Sequence, residues 1–345
     1  MFHNVRSGAA SAALLAVTTL VSGTIPAAAE TELVLSSWLP PRHPITVNVI
    51  KPWAEQVAEV TDGRVTVRVL GKPLGPPPAH FDMAVDGVAD ITYGLHSFTQ
   101  DDRFLRSRIG QFSFIGDKAT DASKAYWNVY ADTLDAQDEH QGVKLLGLFV
   151  HGPGMFHNNQ RMIEQPADFE GLKIRTPGGY IADLAGDLGI TTQFMGPGEV
   201  YEKLSRGVID GVTFPIEALL AFKLTDHLKY SMRVPGGIYN TSWFLVMNED
   251  QWNSLSAEDQ EAIMAISGEA FAELAGNVWD QADETGTAYV AESDIEVYDA
   301  PPPVLDAIKG AAAEHEAAWS EAVSAGGYDG AAALAELRAQ SGVTQ

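Results

Sequence analysis

The chain has 345 residues, 46% of them hydrophobic, and its 22 basic against 46 acidic side chains give a formal net charge of -24. Acidity on this scale is repelled by phosphate backbones and by anionic membrane surfaces, so nucleic acid is excluded as a partner. The absence of cysteine removes zinc-thiolate sites, redox CxxC chemistry and thiol nucleophiles, and leaves the hydrophobic core alone to hold the fold.

Residues 1–29 read as a secretory signal peptide: Arg6, an apolar run over 9–21, and the small residues Ala27, Ala28 and Ala29 before Glu30. Cleavage after Ala29 would deliver the protein to the periplasm. No later stretch is long and apolar enough to span a bilayer. Beyond the leader, "ELVLSSW" is a strand, and the proline break that follows opens an amphipathic helix reaching about residue 60. "RVTVRVL" alternates with period two and is a second strand. A Pro/Gly loop, a helix over about 79–85 and the strand in "GVADITYG" complete a β-α-β-α-β unit, the grammar of an open α/β sheet.

The same grammar restarts after "GVKLLGLFV". "GLKIRTP" is a strand, "YIADLAGDLG" a helix, "TTQFM" a strand, "GPGEVYEKLSRG" a helix and "VIDGVTFP" a strand ended by Pro215. "MAVDGVADITYG" and "KLSRGVIDGVTF" repeat one layout: helix, Gly, Val, any residue, Asp, strand. Ser256 caps a long helix expected from about 257 past Trp279, with Ile263, Ile266, Phe271, Leu274 and Val278 along one side. The fold class is therefore α/β and two-lobed, of the Venus-flytrap kind that closes on a small solute, with that long helix bracing both lobes. The expected division is 30–152 plus about 241–280 for the first lobe and 153–240 plus about 281–345 for the second, with the protein a monomer.

"QPADFEGLKIRTPGG", "EVYEKLSRGVIDGVTFP", "LVMNEDQWNSLSAEDQ" and the His-Pro after the first strand resemble, in the same order over the whole mature chain, the substrate-binding subunit of tripartite ATP-independent periplasmic (TRAP) transporters, dicarboxylate-binding type. The resemblance implies membrane permease subunits as partners and a small carboxylate as ligand.

Alternation in "LKIRTP" sets Leu172 and Ile174 against Lys173 and Arg175, and Pro177 stops the strand just past Arg175. That puts a guanidinium at a strand's carboxyl end, where open α/β sheets bind ligands and where a planar fork matches a carboxylate. The resemblance makes it the clamp for the solute's carboxylate; a surface arginine paired with an acid is the alternative. Family members that bind sialic acid surround this arginine with polar side chains, whereas Trp38, Leu95, Phe98, Met155 and Phe214 stand at those positions here. Phe156, Tyr93, Tyr180 and Trp243 are further candidates for the binding site, the two tyrosines as hydroxyl donors.

A monocarboxylate with an aromatic body, of the benzoate or hydroxybenzoate type, is therefore expected. A C4-dicarboxylate or uronate is the second reading, and an exported hydrolase with a hidden acid pair the third. No cofactor is expected, and the scattered histidines, His151 and His157 among them, lack the spacing of a metal site. Neither GxSxG, HExxH nor a P-loop occurs, and the one arginine with aromatic walls supplies no nucleophile or general base.

Overall fold

The computed structural model describes residues 1–3, 31–99 and 101–343, so the expected signal peptide lies, but for its first three residues, outside the described residues. In chain order these hold β1 (Thr31–Ser36), α1 (Lys51–Val60), β2 (Val65–Val69), α2 (His80–Val85), β3 (Ile91–Leu95), α3 (Ala119–Asn128), β4 (Val143–Val150), β5 (Met155–Asn158) and β6 (Lys173–Thr176). There follow α4 (Tyr180–Asp187), β7 (Thr191–Phe194), α5 (Val200–Ser205), β8 (Gly211–Phe214), α6 (Glu217–Ala221), β9 (Tyr230–Arg233) and β10 (Ser242–Asn248). The chain ends with α7 (Glu249–Ser254), α8 (Ala257–Ala265), α9 (Glu269–Ala291), β11 (Glu296–Asp299), α10 (Pro302–Ala325) and α11 (Gly330–Gln340). Among the described residues no helix is long and apolar enough to cross a membrane.

The strands form two sheets, ordered β2-β1-β3-β10-β4 and β11-β9-β5-β8-β6-β7. The βαβ units make parallel pairs: β1 with β2 and β3, and β6 with β7 and β8. Each sheet also takes one strand that runs against its neighbours. β5 enters the second sheet just after the chain leaves the first, and β10 enters the first on the return. The chain thus crosses between the sheets at 151–154 and 234–241, and again where α9 feeds β11.

Helix α9 starts against β4 and α3 and ends against α6, so it touches both halves. The single long helix expected from 257 is in fact two. Ser256 does cap α8, its side chain accepting from the Asp259 amide at 3.1 Å, but the helix stops at Ala265 and α9 starts at Glu269. Gly268 makes the break: its φ is +61°, its N–H donates to the Leu146 carbonyl at 2.7 Å, and a Cβ there would stand 2.8 Å from the Trp127 ring. The two sheets divide the sequence near 150 and 242. α11, however, packs on α3 rather than staying with the second sheet, while α10 packs on α4. Buried residues from both halves, including Phe81, Tyr126, Phe156, Tyr180 and Trp319, share one core cluster behind the sheets.

Candidate functional site

A cavity lies between the carboxyl ends of the parallel strands of the two sheets, beside α9. Its first-sheet wall is aromatic. Trp38, just past β1, stacks on Trp243 of β10 with centroids 5.5 Å apart and planes 9° from parallel, and Trp243 stacks in turn on Phe149. Phe98 meets Trp38 edge-on at 5.7 Å. Pairing of β10 with β3 and β4 places Trp243 opposite both Leu95 and Phe149, so one register row supplies much of this wall. The indole N–H groups are used internally: Trp38 donates to the Tyr93 carbonyl at 2.9 Å and Trp243 to the Thr241 hydroxyl at 2.8 Å.

The second-sheet wall carries charge. Arg175, at the end of β6, is 2% exposed. Its Nε donates to the Met195 carbonyl at 3.0 Å and one terminal nitrogen donates to the Thr213 carbonyl at 3.2 Å. The guanidinium lies over the Phe214 ring, 4.2 Å from its centroid. Two backbone carbonyls leave most of its five N–H groups free for something else. Among the described residues no carboxylate pairs with it, and burial brings the guanidinium down to about 10, which keeps it charged at neutral pH. A buried charge with no counter-ion is costly by several kcal/mol in order of magnitude, so the arrangement is one that an anion would complete.

Glycine lets the two walls meet. Gly178 and Gly179, at φ +81° and +64°, follow β6, and a Cβ on them would stand 2.9 Å from the Ser97 carbonyl oxygen and 2.4 Å from the Gln111 side-chain oxygen. Beside them the Tyr180 amide donates to that Gln111 oxygen at 3.1 Å, and Phe194 meets Phe98 edge-on.

Of the residues singled out in the sequence, Arg175, Trp38, Leu95, Phe98, Phe214 and Trp243 line the cavity. Four others do not. Tyr93 is a buttress: its hydroxyl is paired with Ser37 at 2.7 Å and its ring backs Trp38. Met155, opposite Phe214 in the ladder, packs with Val200, Ile216 and Leu219 and borders a separate groove beside α9. Phe156 follows Met155 and so points to the other face of β5, edge-on to Phe169. Tyr180 turns into the core, its hydroxyl 2.6 Å from Ser113 and its ring edge-on to Phe112.

The cavity also takes residues that pattern reading did not assign to it: His43, His151, Glu217, Phe222, Tyr239 and Trp279. Burial pushes the Tyr239 phenol up, against the pull of the Arg175 charge. Burial lowers His43 to about 3 and drives the Glu217 carboxyl well up, the nearby Asp283 adding to it. Glu217 stands 3.8 Å from His43, whose imidazole is neutral at physiological pH. Only "HP" carried a sequence signal for any of these; the rest come from the crossover segments, from α6 and its end, and from α9, whose spacing along the chain says nothing of their meeting at one cavity.

The family model for bacterial extracellular solute-binding proteins, family 7, matches residues 35–322. A curated relative from Comamonas testosteroni, called outer membrane transporter protein TsaT, is 30% identical over 339 residues, 98% of each chain. A TRAP periplasmic solute-binding protein from Bordetella bronchiseptica, solved with bound (R)- and (S)-mandelate, superposes with a TM-score of 0.87 at 40% identity, covering 90% of this chain and 99% of that one. A TRAP solute-binding protein from Rhodoferax ferrireducens, solved with copurified benzoate, gives a TM-score of 0.82 at 28% identity, covering 90% and 98%.

Proposed function

Since this chain belongs to family 7 of the bacterial extracellular solute-binding proteins, and is a receptor and not an enzyme, we propose that it captures an aromatic monocarboxylate in the periplasm and hands it to TRAP permease subunits. The single observation that carries the ligand class is the uncompensated Arg175 guanidinium facing stacked rings. One carboxylate completes the charge, and an aromatic body gains apolar burial and about 0.5 to 1.5 kcal/mol for each favourable ring pair. A second carboxylate would meet no second cation, since Arg175 is the only lysine or arginine among the lining residues. An unpaired polar group in such walls costs roughly 1 to 3 kcal/mol, and a charge more.

In this reading the two sheets are two lobes. Solute enters while they are apart, its carboxylate engages Arg175, and its ring packs on Trp38, Phe98 and Trp243. The lobes then swing together about the crossovers, because the closed form makes contacts to the ligand from both sides at once. The protein acts as a monomer, with Leu95 and Phe214 narrowing the slot. The test is thermal unfolding of the purified mature protein with benzoate and with succinate. A binder gains RT ln(1 + [L]/Kd), so benzoate should raise the melting temperature and succinate should not. A larger shift with succinate would overturn the ligand class.

A further inference from the structure

Three residues that line the cavity each hold a buried polar atom with no hydrogen-bond partner among the described residues: Nε2 of His151, Nε1 of Trp279 and Oε2 of Glu217. Such atoms are rare in folded proteins, and three on one cavity point to a ligand group that satisfies them. They lie on the crossover side. His151 follows β4, Trp279 is in α9 and Glu217 opens α6. The His151 and Trp279 rings meet edge-on with centroids 6.1 Å apart, and His43, edge-on to the same indole at 5.8 Å, reaches Glu217.

Their chemistry can be assigned. Nδ1 of His151 lies 2.5 Å from the Gly152 carbonyl oxygen, which only accepts, so Nδ1 carries the proton. The buried ring is neutral at physiological pH, its pKa lowered to about 4, which leaves Nε2 as a bare acceptor. Trp279 Nε1 is only a donor. Glu217, its carboxyl pushed well up by burial and by Asp283, presents Oε2 to the same cavity. A ligand group facing all three must therefore give one hydrogen and take another. A carboxylate only accepts and would strand His151; an ammonium only donates and would strand Trp279. A hydroxyl does both.

We propose that His151, Trp279 and Glu217 form a hydroxyl-binding subsite, so that the preferred solutes are hydroxylated aromatic acids. This deepens the reading given above and rests on it. Arg175 holds the carboxylate, and the subsite distinguishes a solute carrying a hydroxyl from the same solute without one.

The test is calorimetric titration of the mature protein with two matched pairs, benzoate with 3-hydroxybenzoate and phenylacetate with mandelate. In at least one pair the hydroxylated acid should bind about tenfold or more tightly than its parent, because a site built for a hydroxyl rejects the analogue that lacks it. Trp279→Phe keeps the ring and removes the donor; His151→Phe removes the acceptor. Each should erase most of that preference, read as the ratio of hydroxylated to parent affinity on the same variant. Glu217→Gln, a near-isosteric change, provides a third variant should either aromatic substitution fail to fold. Equal affinity within both pairs, or variants that weaken parent and hydroxylated acid alike, overturns the subsite while the aromatic-acid reading stands. Binding of none of the four acids overturns that reading and the subsite together.

Discussion

The two walls of the cavity differ in what they have left over. On the first-sheet wall Trp38 and Trp243 stack on each other, and both indole N–H groups are spent on internal partners, which fixes the rings and leaves a bare apolar face. On the second-sheet wall Arg175 is buried but holds only two carbonyl oxygens, neither of them charged. One wall is complete without ligand and the other is not. The first therefore sets shape, and the second sets charge and gives a reason to bind.

Replacing Arg175 is the strongest way to break that contrast. Arg175→Ala should cost on the order of 2 to 5 kcal/mol of binding to an aromatic carboxylate by calorimetry. The same variant, having lost a buried unpaired charge, should melt no lower than the original without ligand. Arg175→Lys should bind almost as poorly, because an ammonium cannot reproduce the fork. Near-normal affinity in a folded Arg175→Ala protein would show that the charge does not hold the solute.

Phe214 belongs to the charged wall yet supplies it with a ring, under the guanidinium. Phe214→Asn should weaken binding of an aromatic acid by about 2 kcal/mol, through loss of the cation–π contact and of ring burial. A polar acid such as succinate should be penalised less, which titration of both ligands on the one variant would show.

The smallest expected effect concerns how the charged wall is supported. His157 sits behind it, its two ring nitrogens 2.7 Å from the Ser231 hydroxyl and 3.1 Å from the Phe214 carbonyl oxygen. Burial lowers this imidazole from 6.5 to about 4. Between those values the unfolded chain binds a proton that the folded state refuses, so stability falls as pH falls through that window, by about 1.4 kcal/mol per pH unit for this group. Asp283, raised to about 7 chiefly by burial, works in the opposite sense from pH 7 down to its unfolded value of 3.8, so the whole-protein curve mixes these with other buried groups, His43, His151 and Glu217 among them. Denaturant titrations of His157→Asn against the original protein between pH 6.5 and 4 isolate the histidine. A variant with the same acid slope would mean that His157 is not neutral in the fold.

How much of this was legible in the sequence follows from where each residue sits in its element. A strand end marked by proline pointed to Arg175, the family resemblance pointed to Phe214, and the β-α-β grammar gave both sheets. Met155 and Phe156 illustrate a limit: neighbours on one strand face opposite ways, so both could not line the cavity. Tyr180 was drawn into the core by Ser113, a partner 67 residues away that no local pattern names. His151, Glu217 and Trp279 come to one cavity only because a crossover, α6 and α9 pass one another, an arrangement set by topology. The break at Gly268 had a local sign in "ISGEAF", outweighed by the apolar spacing on either side.

The two glycines after β6 bear on affinity without touching any solute. Because Gly178 and Gly179 have no side chains, the segment beside Arg175 can lie flush against Ser97 and Gln111 of the opposite half. Measured affinity is the intrinsic affinity scaled by the fraction of molecules able to reach the shut form. A side chain at either glycine would act as a wedge that shrinks this fraction, weakening capture of every ligand by one common factor and leaving the order of preference among them unchanged.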